Sequence, residues 1–387
     1  MSGTLASSHP ISVRGRKRLR NYRIASRILG KNLTGSASCW MYRRGLLKAD
    51  VKAYYVLNTS PLIIYLGNVM SNVFDIAELF KHERVHFIKN FYHTFESESR
   101  LQQLRGEVDQ FRKLYPQHSI DFICATEKET AMFKQQGISP SHFINKNAFV
   151  DESQYQVIDH IKKEFDAIYN GQLAPYKRQE LAASIRNLAL IVYRHTTIGR
   201  TPEFDEYVLG IRELLKDAIW LNDVDSFIPP SEISMHLNRA RVGLALSAEE
   251  GPMAACMENF LSGLPVVSTP SLGGRDVFFD EEYVAVVDPD AESVAKGVTE
   301  LIEKNISPNE IRQRTLNKMK VHRQKFINLI NDILKRHGKA TDFEGSFEKI
   351  FVNKLRVAAP FPGALLKHVA KGMPVDLCRS MSKRMNS

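Results

Sequence analysis

Residues 242–274 read VGLALSAEEGPMAACMENFLSGLPVVSTPSLGG. An apolar run from Val242 to Leu246 ends in Ser247 and two carboxylates, Glu249 and Glu250, after which Gly251 allows a tight turn. Pro252 stands where a first helical residue is expected, a position at which the missing N–H costs nothing. The small, apolar stretch that follows reaches Ser262, Gly263 closes it, and Pro265 opens a further apolar run. This punctuation predicts strand, helix and strand, the unit of a parallel sheet covered by helices.

The same alternation extends in both directions, so the predicted class is α/β, with two doubly wound Rossmann-like domains facing a central cleft. Before residue 150 the strand candidates are Arg23–Leu29, Val51–Leu57, Leu62–Leu66, Val85–Tyr92, Ile120–Cys124 and His142–Ala148. Beyond it they are Phe165–Asn170, Leu188–Tyr193, Ala218–Leu221, Val242–Leu246, Pro265–Thr269 and Val284–Val287. Helical periodicity covers 36–47, 97–114, 127–136, 178–186, 206–215, 231–240, 253–262, 291–303 and 308–336. The expected organisation is a basic tail over 1–22, a first domain over 23–155, a second over 156–340 and a C-terminal extension over 341–387. That extension either returns to the first domain or wanders, without forming a third.

At 387 residues the chain is long enough for two cores, and at 43% hydrophobic and 25% charged its composition is globular. The net charge of +10 is concentrated at one end, because eleven basic residues precede the first acidic one, Asp50. The remaining 42 basic residues face 43 acidic ones, leaving the rest of the chain at −1. A nucleic-acid footprint would need basic patches on the folded domains, so no nucleic-acid partner is expected. The basic run from Arg14 to Arg27 instead fits electrostatic contact with an anionic membrane surface, since the segment has few apolar residues to insert. A solvated tail or an organellar transit peptide reads the same composition. Cys39, Cys124, Cys256 and Cys378 are far apart and form no CxxC pair, as for reduced thiols in a cytoplasmic protein, peripheral at most on the inner face of a membrane.

Glu258 lies in the otherwise apolar helix predicted after Gly251, so it needs hydrogen-bond donors. Helical side chains lean toward the N-terminus, which directs Glu258 at the open amides near Gly251, where a diphosphate is favoured. Glu250 and Glu258 are then placed to accept from hydroxyls on either side of such a group. The plainer alternative is that Glu250 is a solvated loop acid and Glu258 is held by a structural arginine.

Glu250, seven residues, Glu258, then Gly263-Leu264-Pro265-Val266-Val267 and Gly273-Gly274 closely resemble the retaining group 1 glycosyl transferases of the GT-B fold. Upstream, Phe165 to Gly171 followed by Lys177 resembles the first strand of that family's second domain. Gln172 replaces the arginine expected after the glycine, and Arg178 is the nearest substitute cation. Asn147-Ala148 stands where the family has Asn-Gly. The resemblance covers residues 23–305, most closely in the second domain. It implies a hexosyl-type glycosyltransferase that moves sugar from a nucleoside diphosphate sugar to a glycan or lipid-linked acceptor hydroxyl with retention, in glycan or cell-envelope glycoconjugate synthesis. Neither metal nor cofactor is implied.

By the same resemblance Glu250 is catalytic and holds hydroxyls of the donor sugar, Glu258 meets the ribose, and Lys177, Arg178 and Gly251 meet the diphosphate. His93, at a strand end, stands where the family often has a histidine beside the reacting sugar. Gly35, in the stretch GKNLTGSAS over 30–38, is read as part of a loop lining the donor cleft. Gln172 and Ala148 keep a rival open, a catalytically weakened binding or scaffolding protein on the same fold. Asp223-Val224-Asp225 and Asp288-Pro289-Asp290 spell Asp-x-Asp, but the second reads as a helix N-cap before Ala291.

Overall fold

A computed structural model describes residues 12–47, 50–195, 199, 201–351 and 358–372. Residues 1–11 of the expected tail over 1–22, and Cys378, lie outside the described residues. The chain divides into two compact units, one of residues 1–146 with 324–387 and one of residues 147–323.

The first unit begins with α1 (Val13–Leu29), capped by Ser12, whose Oγ accepts from the Gly15 amide at 3.1 Å. A helix therefore occupies Arg23–Leu29, where a strand was expected. Seven residues fit either period, and the strong helix formers on their N-terminal side decide. Gly30, at φ +80°, breaks the helix, and α2 (Lys31–Arg43) starts directly after it, so the stretch read as a glycine-rich loop is helical. Then follow β1 (Asp50–Thr59), β2 (Leu62–Leu66), α3 (Ser71–Leu79), β3 (Val85–Lys89), α4 (Glu98–Leu114), β4 (Ser119–Cys124), α5 (Glu127–Gln135) and β5 (Ser141–Phe143). Strands β2 to β5 pair in parallel, while β1 runs antiparallel to β2. The burial of all five residues in both β2 and β3 is what a sheet covered on both faces requires.

The second unit contains β6 (Phe165–Gln172), β7 (Leu188–Tyr193), α6 (Pro202–Leu214), β8 (Ile219–Trp220), α7 (Pro230–Arg239), β9 (Ala240–Ala245), α8 (Ala254–Leu261), β10 (Val266–Ser268), β11 (Val284–Val286) and α9 (Ala291–Lys304). Its sheet is wholly parallel in the order β8-β7-β6-β9-β10-β11. That is the doubly wound Rossmann order, whose direction of winding reverses between β6 and β9. A ligand crevice in such a sheet lies outside the carboxyl ends of those two strands.

Helix α10 (Pro308–Arg336) is as long as its periodicity predicts. After it, α11 (Phe343–Ile350), β12 (Ala358–Phe361) and α12 (Gly363–Lys371) complete the first unit. Asp50 to Ala53 of β1 pair antiparallel with Phe361 to Ala358 of β12, so the C-terminal extension adds the edge strand of the first sheet. In α12, His368 Nδ1 lies 3.0 Å from the Tyr54 hydroxyl of β1.

Candidate functional site at the switch point of the second sheet

The residues following β6 and β9 converge where the winding reverses. Lys177 Nζ lies 2.5 Å from Glu250 Oε1, with the lysine side chain 6% exposed and the carboxylate 21%. Ser247 Oγ donates to Glu250 Oε2 at 2.8 Å and itself accepts from Arg275 Nη1 at 2.8 Å. Glu250 is thus held between one cation directly and a second through a hydroxyl. Arg178 Nε donates to the Leu246 carbonyl at 2.7 Å and its Nη2 to Thr269 Oγ1 at 2.6 Å, tying the ends of β9 and β10 together.

The backbone around these groups is special for a local reason. Where a helix over 178–186 was expected, two short 3-10 turns, Pro175–Lys177 and Gln179–Ala182, flank Arg178 at φ +53°. No helix dipole therefore opposes the two cations. Gly273, at φ +115°, backs onto Glu250, and a Cβ there would fall 1.4 Å from the Glu250 carbonyl oxygen. The Glu250 amide donates to the Leu272 carbonyl at 3.0 Å, zipping the loop after β9 to the loop after β10.

Glu258, 5% exposed, accepts from the Tyr155 hydroxyl and from Asn170 Nδ2, each at 2.8 Å. The arginine of the plainer alternative is not among these two donors. Asn170 belongs to β6, so the carboxylate is tied to the same switch-point strand. Helix α8 starts at Ala254 with Met253 as its cap, two residues later than the proline suggested, and buried Gly251 precedes the cap. Ala148, 0% exposed in the 3-10 turn Lys146–Phe149, is absent from the positive-φ residues, so the position tolerates a side chain where the family pattern has glycine.

The two remaining candidates belong to the first unit. His93 follows β3, half-buried, with its ring centroid 4.8 Å from that of Phe95 and 6.0 Å from that of Phe91. Gly35 is buried in α2, where a Cβ would meet the Gly363 carbonyl oxygen at 2.7 Å and the Lys367 amide at 2.8 Å. It is a helix-crossing glycine against α12 and not part of a loop, which corrects the reading of residues 30–38 as a loop.

Arg275 is the residue that sequence reasoning missed. It is 3% exposed, donates to the Ser247 carbonyl at 2.9 Å as well as to its hydroxyl, and burial lowers its pKa. Its only local signal was its place after Gly273-Gly274, and a single arginine in a loop carries no period from which burial can be read. Among the described residues no group of three or more His, Cys, Asp or Glu side chains is placed to hold a metal ion.

Residues 151–318 match the family model for glycosyl transferases group 1, and that span contains the whole switch-point cluster. No curated protein matches the chain by sequence. Among solved structures, Anabaena Alr3699/HepE in complex with UDP is similar at 14% identity and a TM-score of 0.51, over 69% of this chain and 78% of that one. A mutant of S. aureus TarM in complex with fondaparinux, alpha-GlcNAc-glycerol and UDP is similar at 12% identity and a TM-score of 0.51, over 69% of this chain and 55% of TarM. The Candida albicans trehalose-6-phosphate phosphatase N-terminal domain is similar at 12% identity and a TM-score of 0.50, over 70% and 71% of the two chains. At such identities these likenesses speak to the fold alone. The chain has the GT-B fold, and its residues 151–318 are similar in sequence to the group 1 glycosyl transferases.

Proposed function

We propose that the chain transfers a sugar from a nucleoside diphosphate sugar to an acceptor hydroxyl with retention of configuration, the second unit holding the donor. The observation that carries this reading is the placement of Lys177, Arg178, Arg275 and Glu250 at the switch point of a Rossmann-ordered sheet, inside the span that matches the family. Cations there offset the charge of a diphosphate leaving group, the electrostatic contribution expected to dominate such a transfer. Glu250 would exchange its lysine partner for donor-sugar hydroxyls as the diphosphate engages Lys177, and Glu258 would orient the ribose from its anchored position. His93 is assigned a catalytic place beside the reacting sugar, as the family resemblance implies, and the acceptor is a glycan or a lipid-linked saccharide.

Gln172, neutral where the family pattern carries arginine, favours a second reading in which the donor is bound without turnover. Titration calorimetry with UDP and GDP, then NMR of the products formed from their sugars with and without acceptor, tests both. Transfer with an unchanged anomeric configuration, persisting in chelator, supports the first reading. Binding with neither hydrolysis nor transfer supports the second, and failure to bind any nucleoside diphosphate sinks both.

A further inference from the structure

Helices α1 and α2 carry most of the acid-free start of the chain, and their solvent faces are more apolar than the sequence suggested. On α2, Thr34, Gly35, Ser38 and Cys39 are buried, while Leu33 and Trp40, 57% and 55% exposed, lie on the opposite face with Ala37 between them. On α1, Ile24 and Ile28, the latter 75% exposed, share a face with exposed Lys17, Arg20 and Arg27. Arg43 and Arg44 end α2, and the Arg44 guanidinium lies 5.7 Å from the centre of the Trp40 ring. Helical periodicity gathers apolar residues that are scattered in the sequence, and Ile28, Leu33 and Trp40 lie just beyond the Arg14–Arg27 run that is itself short of residues to insert.

We propose that α1 and α2 form a docking surface for an anionic lipid bilayer. Ile24, Ile28, Leu33 and Trp40 enter the interfacial region, where tryptophan is favoured, and Arg20, Arg27, Arg43 and Arg44 meet lipid phosphates while their stems cover apolar surface. Charge selects the occupant. No acidic residue precedes Asp50, so a second copy docked face to face would set like charges against each other. An anionic leaflet complements both the charge and the apolar side chains. The attachment is peripheral, since no described helix is long and apolar enough to cross a membrane. The inference stands apart from the transfer reading, because it concerns neither the switch point nor any donor.

Co-sedimentation of the full chain with vesicles of phosphatidylcholine, alone or mixed with phosphatidylglycerol, tests it at about 0.05 M and about 1 M salt. Anionic vesicles should bind at least about tenfold more tightly at low salt, and a measurable part of that binding should survive at high salt because the apolar contacts are not screened. In a Trp220→Phe background, Trp40 emission should shift to the blue with anionic vesicles. The triple variant Ile28→Ser, Leu33→Ser, Trp40→Ser should lose the salt-resistant part with its thermal unfolding unchanged, and Arg20→Gln with Arg27→Gln should lose the preference for anionic lipid. No binding to anionic vesicles at low salt would overturn the proposal, as would full binding by the triple variant. So would a dimer in analytical ultracentrifugation that the triple variant dissolves, since a second copy would then be the occupant.

Discussion

Lys177 Nζ and Glu250 Oε1, 2.5 Å apart, join the segment after β6 to the loop after β9 across the point where the second sheet changes its direction of winding. Each is the other's nearest counter-charge, so a phosphate drawn to the lysine competes with the carboxylate for it.

From this pairing the two variants should act in opposite directions on nucleotide binding. Lys177→Ala would remove the charge-assisted phosphate contact proposed for this lysine and should then cost roughly 1.5–3 kcal/mol of nucleoside diphosphate affinity. Glu250→Gln frees the lysine and should leave that affinity equal or higher, while turnover falls at least about tenfold, about 1.4 kcal/mol of transition-state stabilisation. Calorimetry beside steady-state kinetics reads both signs. Equal losses of affinity in the two variants would place the phosphate elsewhere.

Glu258 is a buried acceptor with two neutral donors, Tyr155 and Asn170. Glu258→Gln removes the charge from both hydrogen bonds and sets its amide nitrogen toward the Tyr155 hydroxyl, which must then accept instead of donate, so the second unit should lose about 1–3 kcal/mol of stability while still unfolding cooperatively. If Glu258 meets the ribose as proposed, turnover should also fall at least about tenfold. Thermal unfolding and kinetics check the two effects separately, and a variant with wild-type stability and turnover would show that the carboxylate matters to neither.

The contact of Gly273 with the backbone of Glu250 predicts that Gly273→Ala displaces the loop after β9. A residue with a side chain at φ +115° costs of order 1–3 kcal/mol even before the clash is counted. Nucleoside diphosphate affinity should fall although no charged group has been touched. A crystal structure of the variant with an unmoved Glu250 would refute this.

His368 is 2% exposed, its Nε2 has no partner among the described residues, and burial, with Lys367 adding repulsion, lowers its pKa to about 4. The folded value lies below the ordinary one near 6.5, so the stabilisation is complete above about pH 6.5 and is lost as pH falls toward 4. At about 1.4 kcal/mol per unit, about 3 kcal/mol is at stake by the acid end. Hydrogen exchange over α12 and β12 should accelerate between about pH 6 and 4, and His368→Asn should flatten that dependence. Exchange that stays constant over this interval would count against the burial argument.

Much of the second unit was legible because its signals are local. The apolar run 242–246, the Glu-Gly turn, the stop at Gly263, whose φ is +76°, and the helix over 308–336 all rest on spacings within a few residues of one another. The Glu250 and Glu258 pair was visible for the same reason, as an acid in a turn and an acid in a small-residue helix. What only the tertiary structure decided lies far apart in the chain. Arg23–Leu29 fits two periods and became helix through its neighbours, Gly35 was needed by a helix more than three hundred residues later, and Phe361 found its partner in Asp50. Arg275 could not be read as buried, because burial follows from the carbonyls of Ser247 and Thr269 that surround it. Propensity and periodicity act between neighbours and are written in the sequence. Desolvation and the pairing of distant edges depend on which surfaces meet, and that is settled when the chain folds.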